Sequence, residues 1–163
     1  MSISLSKGQK ISLKKSENTN NEELTEVFMG LGWEKKKGGF FGLMESEDID
    51  LDASAVTFNA KGKVIETVYF GNLKNKDRTI VHSGDNLTGE GKRGSDKEVI
   101  SVQLDKMSKD VKSVIFTVNS YRGQTFEKVE DAFCRLVNKV NGKEIAKFNL
   151  TDSGNHTGLI MVK

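Results

Sequence analysis

Two stretches decide the reading of this chain: E-D-I-D-L-D-A-S-A-V at 47–56 and H-S-G-D-N-L-T-G-E-G-K-R-G-S-D-K-E-V at 82–99. In the first, Asp50, Asp52 and Ser54 alternate with Leu51, Ala53 and Ala55. That period of two is the mark of a strand, and it puts both aspartates on one face. From strand rise alone their Cα atoms lie about 6.6–7 Å apart, a gap that one cation can bridge. Without a cation the two like charges repel. The second stretch carries Asp85, Asn86, Thr88, Glu90, Asp96 and Glu98 among four glycines, Gly84, Gly89, Gly91 and Gly94. Glycine permits the sharp turns that aim backbone carbonyls inward. If a strand has begun by residue 96, Asp96 and Glu98 share a face as well.

Calcium takes six to eight oxygen ligands, whereas magnesium demands a tighter octahedron and keeps more water. A glycine-rich loop with many acids fits the looser demand. The expected ligands are therefore Asp50, Asp52, Asp85, Asn86, Thr88, Asp96 and Glu98, around one calcium ion (Ca2+), with a second position left open. The spacing is not that of an EF-hand, because Leu87 stands third from Asp85 where Asp or Asn is required. Zinc does not suit one cysteine and two distant histidines.

Working outward, the rest of the chain reads as short strands. Ile3 and Leu5, then Ile11 and Leu13, alternate on either side of K-G-Q-K and predict a hairpin. Residues 24–34 alternate again, with Trp33 expected in the core. N-A-K-G-K at 59–63 predicts a turn into a strand over 64–70, and 79–82 is a short extended piece. Residues 99–104 and 111–121 predict strands, the second of them the best buried candidate. Residues 125–137 admit a helix with Phe126, Val129, Phe133, Leu136 and Val137 on one face, but the expectation taken is a short helical turn followed by a strand over 131–138. Asn141-Gly142 is a strong hairpin signal between that strand and 144–150, and 158–162 closes the pattern. The expected fold class is all-β: a β-sandwich of two packed, mostly antiparallel sheets with short helical segments, in a single domain over 1–163.

Composition narrows the function. Twenty-five Lys and Arg against 23 Asp and Glu give a net charge of +2, which does not point to nucleic acid. No run of 18 apolar residues and no signal-like start occur, so neither membrane spanning nor secretion by the usual signal is expected. A single cysteine, Cys134, allows no internal disulfide and fits a reducing compartment. His82 beside Ser83 suggests hydrolase machinery only superficially, since no G-x-S-x-G elbow accompanies it. The Gly38–Met44 stretch, with its apolar run Phe40, Phe41, Leu43 and Met44, either folds back onto the domain or offers an exposed contact to a partner or a lipid surface.

Several motifs together closely resemble the TerD family of tellurium-resistance and general stress proteins. They are F-M-G-L-G-W at 28–33, D-L-D-A-S-A at 50–55, H-S-G-D-N-L-T-G-E-G at 82–91 and D-x-E at 96–98. V-I-F-T-V-N-S-Y at 114–121, F-x-x-V-x-x-A-F-x-R-L at 126–136, K-F-N-L and T-G-L-I-M extend the likeness over nearly the whole chain. The resemblance implies a cytoplasmic calcium-binding β-sandwich, and the function expected on this basis is a non-enzymatic stress-response module whose calcium-ordered rim presents a surface to a protein partner. It assigns the same seven residues to the metal. Lys92, Arg93 and Lys97 stand where the family commonly carries further acids, which bears on the second ion. Glu34 stands where the family often has Asp after the tryptophan. The alternatives are a structural or assembly protein, or a metal-assisted hydrolase. Oligomeric state is not legible.

Overall fold

The computed structural model describes residues 3–5, 24–34, 49–150 and 155–162. Among the described residues ten strands form: β1 Ile3–Leu5, β2 Glu26–Glu34, β3 Leu51–Phe58, β4 Val64–Val68, β5 Ile80–His82, β6 Glu98–Gln103, β7 Ser113–Ser120, β8 Glu130–Asn138, β9 Glu144–Asn149 and β10 Gly158–Val162. They make a six-stranded sheet in the order β1-β9-β8-β2-β6-β5 and a four-stranded sheet in the order β10-β7-β3-β4. All pairings are antiparallel except β1 with β9. The result is the mostly antiparallel sandwich that the alternation predicts.

The core lies between the sheets and follows that alternation. Val27, Met29, Leu31 and Trp33 of β2 meet Leu51, Ala53 and Ala55 of β3, and all are buried. On the other face of β2, Gly30 and Gly32 leave room for outer side chains. A Cβ at Gly30 would run into the Asp96 carboxylate, and one at Gly32 into the Phe133 ring. The β3–β4 turn is clasped by Asn59, whose Oδ1 accepts hydrogen bonds from the backbone N–H of Lys61 and Lys63. The short helical turn is a single 3-10 turn over Phe126–Lys128, directly before β8.

Some expectations shift. Leu104, the last residue of the strand expected over 99–104, leaves it in a 3-10 turn and is exposed. In β7 only Phe116, Val118 and Ser120 are buried, and the opposite face, with Ile115 and Thr117, is only partly covered. Ile3–Leu5 pairs in parallel with β9. The Ile11/Leu13 arm of the expected hairpin and the Phe40–Met44 tip lie outside the described residues.

Register sets the site. β3 begins where β7 ends, with Leu51 opposite Ser120, and β2 ends where β6 begins, with Leu31 opposite Glu98. The two acidic stretches therefore meet at one end of the sandwich.

Candidate metal centre

The entry to β3 is pinned from both sides. Trp33 Nε1 donates to the Ile49 carbonyl at 2.9 Å, and the Tyr121 N–H donates to the Asp50 carbonyl at 2.9 Å. Thus held, Asp50 and Asp52 are both buried, at 2% and 6% exposure. Asp85 comes over from the second loop and is exposed. One carboxylate oxygen from each of the three lies within 4.8 Å of the others. Two oxygens on opposite sides of one calcium ion stand about 4.6–5.2 Å apart, so this set can surround a single ion. All three donors are hard oxygens, as calcium requires. Arg122 Nε approaches Asp50 Oδ2 at 3.8 Å from the rim.

Glu98 sits beneath this cluster with no solvent exposure. Its Oε2 accepts from the Ala53 N–H at 2.8 Å and its Oε1 from the Asn86 N–H at 3.2 Å. The β3–β4 ladder stops at Ala55 opposite Val68, so the Ala53 N–H lies beyond it and turns to the other sheet. His82 Nε2 stands 3.3 Å from Glu98 Oε2. Its Nδ1 accepts from the Gly84 N–H at 3.0 Å, so a neutral ring carries its proton on Nε2, which is buried and makes no hydrogen bond.

Burial raises the Asp52 carboxyl to about 7, reinforced by the negative charges of Glu98, Asp50 and Asp85 and opposed by His82. Three buried acids, Asp50, Asp52 and Glu98, converge under an exposed fourth, Asp85. Such a cluster keeps its protons or recruits a cation.

A profile of the TerD domain matches residues 1–163. The chain belongs to the TerD family. It is 46% identical to tellurium resistance protein TerZ of Serratia marcescens over 98% of this chain and 80% of that protein. It is 38% identical to stress response protein SCP2 of Bacillus subtilis over 94% of this chain and 79% of that one. A crystal structure of a homologue of telluride resistance protein (TerD) from Streptomyces coelicolor A3(2) shares the fold, with a TM-score of 0.71, 22% identity, and coverage of 85% and 79%.

Within this TerD chain the seven expected ligands occupy different places. Asp50, Asp52 and Asp85 come together. Glu98 reaches the cluster but spends both oxygens on backbone N–H groups. Asn86 folds its side chain into its own loop: Oδ1 accepts from the Gly89 N–H at 2.9 Å, and Nδ2 donates to the Glu90 carbonyl at 3.1 Å. Thr88 is half-buried on that loop, its N–H 3.4 Å from Asn86 Oδ1. Asp96 lies on the outer face of the six-stranded sheet, in a two-bonded pair with Arg135 at 2.8 and 2.7 Å. The strand starts only at Glu98, so alternation does not bring Asp96 to the same face.

The basic residues of the loop are structural. Lys97 is a buried cation whose Nζ donates to the Lys92 carbonyl at 2.9 Å and lies 3.6 Å from Glu34 Oε1. Glu34 also accepts from the Gly94 N–H at 2.9 Å. Arg93 pairs with Asp131 at 2.7 Å, and this contact holds its guanidinium pKa above the ordinary value. Alternation did signal Glu98, in phase with buried Ile100 and Val102. Arg135 gave no local signal, since its partner is 39 residues away.

Proposed function

We propose that this TerD-family chain is a non-enzymatic calcium-binding module of the stress response, holding one ion between Asp50, Asp52 and Asp85. The convergence of three carboxylates from two distant segments, two of them buried, carries this reading. A bound divalent cation adds positive charge among the three carboxylates, where the described residues bring Arg122 to the Asp50 rim. Asp50 and Asp52 offer ligands from a strand end fixed by Trp33 and Tyr121. Asp85 closes over them from a loop whose shape Asn86 maintains. Glu98 positions both segments through Ala53 and Asn86. On the far side of the loop Lys97 already provides a positive charge, which supports one ion rather than two.

The rim around this site is suited to a protein partner. Leu87 and Tyr121 are 54% and 68% exposed, and Tyr121 stacks edge-on against Phe70, which in turn meets Tyr69. Relatives named for tellurium resistance and stress response support the cellular role. A cytoplasmic location is part of the reading, supported by the buried free Cys134. Among the described residues no helix is long and apolar enough to cross a membrane. The hydrolase alternative loses ground because His82 is buried with its acceptor nitrogen engaged by Gly84, while Ser83 Oγ accepts from the Val99 N–H. Calorimetric calcium titration of the parent and Asp52→Asn tests the proposal.

A further inference from the structure

The opposite end of the sandwich holds a cavity of about 430 Å³, lined by described residues. Register places it there: Phe58 pairs with Ser113 and Val27 with Val102, both at the strand ends remote from Asp50 and Glu98. Its floor is the core itself, made by Val102, Phe116 and Leu136. Its walls include Leu24, Met107 and Val114, which are partly buried against that core. Lys109 and Lys112 are the charged residues among those lining it, and no acid joins them.

This mouth is built on ordered backbone. The Val111 N–H donates to the Ser108 carbonyl at 3.0 Å, and the Asp110 N–H donates to Ser108 Oγ at 3.3 Å, so the turn bearing Lys109 is closed. The Lys112 N–H donates to the Phe58 carbonyl at 2.7 Å, which ties the second lysine to the four-stranded sheet. Across the opening, the Leu104 N–H donates to the Thr25 carbonyl at 2.7 Å and fixes the wall beside Leu24.

We propose that this cavity binds a single-chain apolar anion, of the class of a medium-chain carboxylate, with its tail on Phe116 and Leu136 and its headgroup at Lys109 and Lys112. The volume lies at the lower end of the roughly 300–1,000 Å³ usual for small-molecule sites, which suits one chain and not a two-chain lipid. Apolar walls supply the affinity, and the two exposed lysines among the lining residues choose the sign of the headgroup. Both lysines are exposed, so reversing their charge leaves the core intact. The site is independent of the calcium reading, since it shares no residue with the carboxylate cluster.

The test is calorimetric titration of the full chain with decanoate below its micellar concentration, and with decanol and decyltrimethylammonium as controls. The expected result is saturable one-to-one binding of decanoate, at least roughly tenfold tighter than decanol. The double variant Lys109→Glu/Lys112→Glu weakens decanoate at least roughly tenfold. Val114→Trp, which fills the cavity, removes binding while the circular dichroism spectrum is kept. Binding is the same in calcium and in chelator. Equal affinity for decanol, an unchanged response in the double variant, or association with phospholipid vesicles without binding of monomeric decanoate overturns the proposal.

Discussion

Glu98 Oε2 accepts a hydrogen bond from the Ala53 N–H at 2.8 Å, joining the two sheets of the sandwich through a carboxylate with no solvent exposure. The same side chain takes the Asn86 N–H on its other oxygen. One residue thus sets the distance between the strand that carries Asp50 and Asp52 and the loop that carries Asp85.

Removing that clasp destabilises the fold. Glu98→Ala leaves two N–H groups short of an acceptor, and each such loss costs about 1–3 kcal/mol when buried. Relief of repulsion among the neighbouring acids returns part of this, so a net loss of about 2–3 kcal/mol is expected in urea unfolding in chelator. A loss below about 0.5 kcal/mol, the scale of an ordinary surface change, contradicts the role given to Glu98.

The metal-free protein is expected to be less stable at neutral than at mildly acidic pH, through Asp52. Its folded carboxyl titrates at about 7 against an ordinary 3.8. Between those values the folded state holds more protons than the unfolded one, so stability falls as pH rises through this window. Asp52→Asn has no such group. In chelator the variant should gain on the parent by on the order of 1–2 kcal/mol between pH 4 and 8, with most of the gain complete near pH 7. A constant difference across that range refutes the coupling.

Asp96 separates a ligand from a structural anion. Its two bonds to Arg135 hold the guanidinium pKa above its ordinary value and lie on the outer sheet face. Asp96→Asn is therefore expected to cost about 1 kcal/mol of stability, as for a partly exposed ion pair. Calcium affinity should change by less than about threefold, since the group lies outside the cluster. A tenfold loss of affinity would restore Asp96 to the ligand set.

Gly89 is where loop and core touch. Its φ is +68°, and a Cβ there would stand 2.6 Å from Trp33 Nε1. Gly89→Ala must displace the indole that donates to Ile49, at a cost of about 1–3 kcal/mol from overpacking and backbone strain. Emission from Trp33, the sole tryptophan, should shift to the red. An unshifted spectrum shows that the loop is not seated on the ring.

Much of this architecture could be read from local pattern. Alternation in 24–34 and 50–58 placed Trp33 and Leu51 in the core, and the Asn59 and Asn141-Gly142 turns set two hairpins. The meeting of Asp50, Asp52 and Asp85 was legible because two carboxylates at strand spacing and a third in a glycine-rich loop were expected at one end of the sandwich. What escaped the reading depends on distant partners. Nothing near residue 96 announces Arg135, and no local pattern tells that β1 runs parallel to β9. Asn86 carries an amide that could face a metal or its own loop, and only the folded turn decides between them.

The central claim is that Asp50, Asp52 and Asp85 hold one calcium ion, and calorimetric titration of chelator-treated protein tests it most directly. The account predicts a single saturating event in the parent and at least roughly tenfold weaker binding, about 1.4 kcal/mol, in Asp52→Asn. Superimposable isotherms for parent and variant, or no binding heat in the parent at any temperature tried, would contradict it.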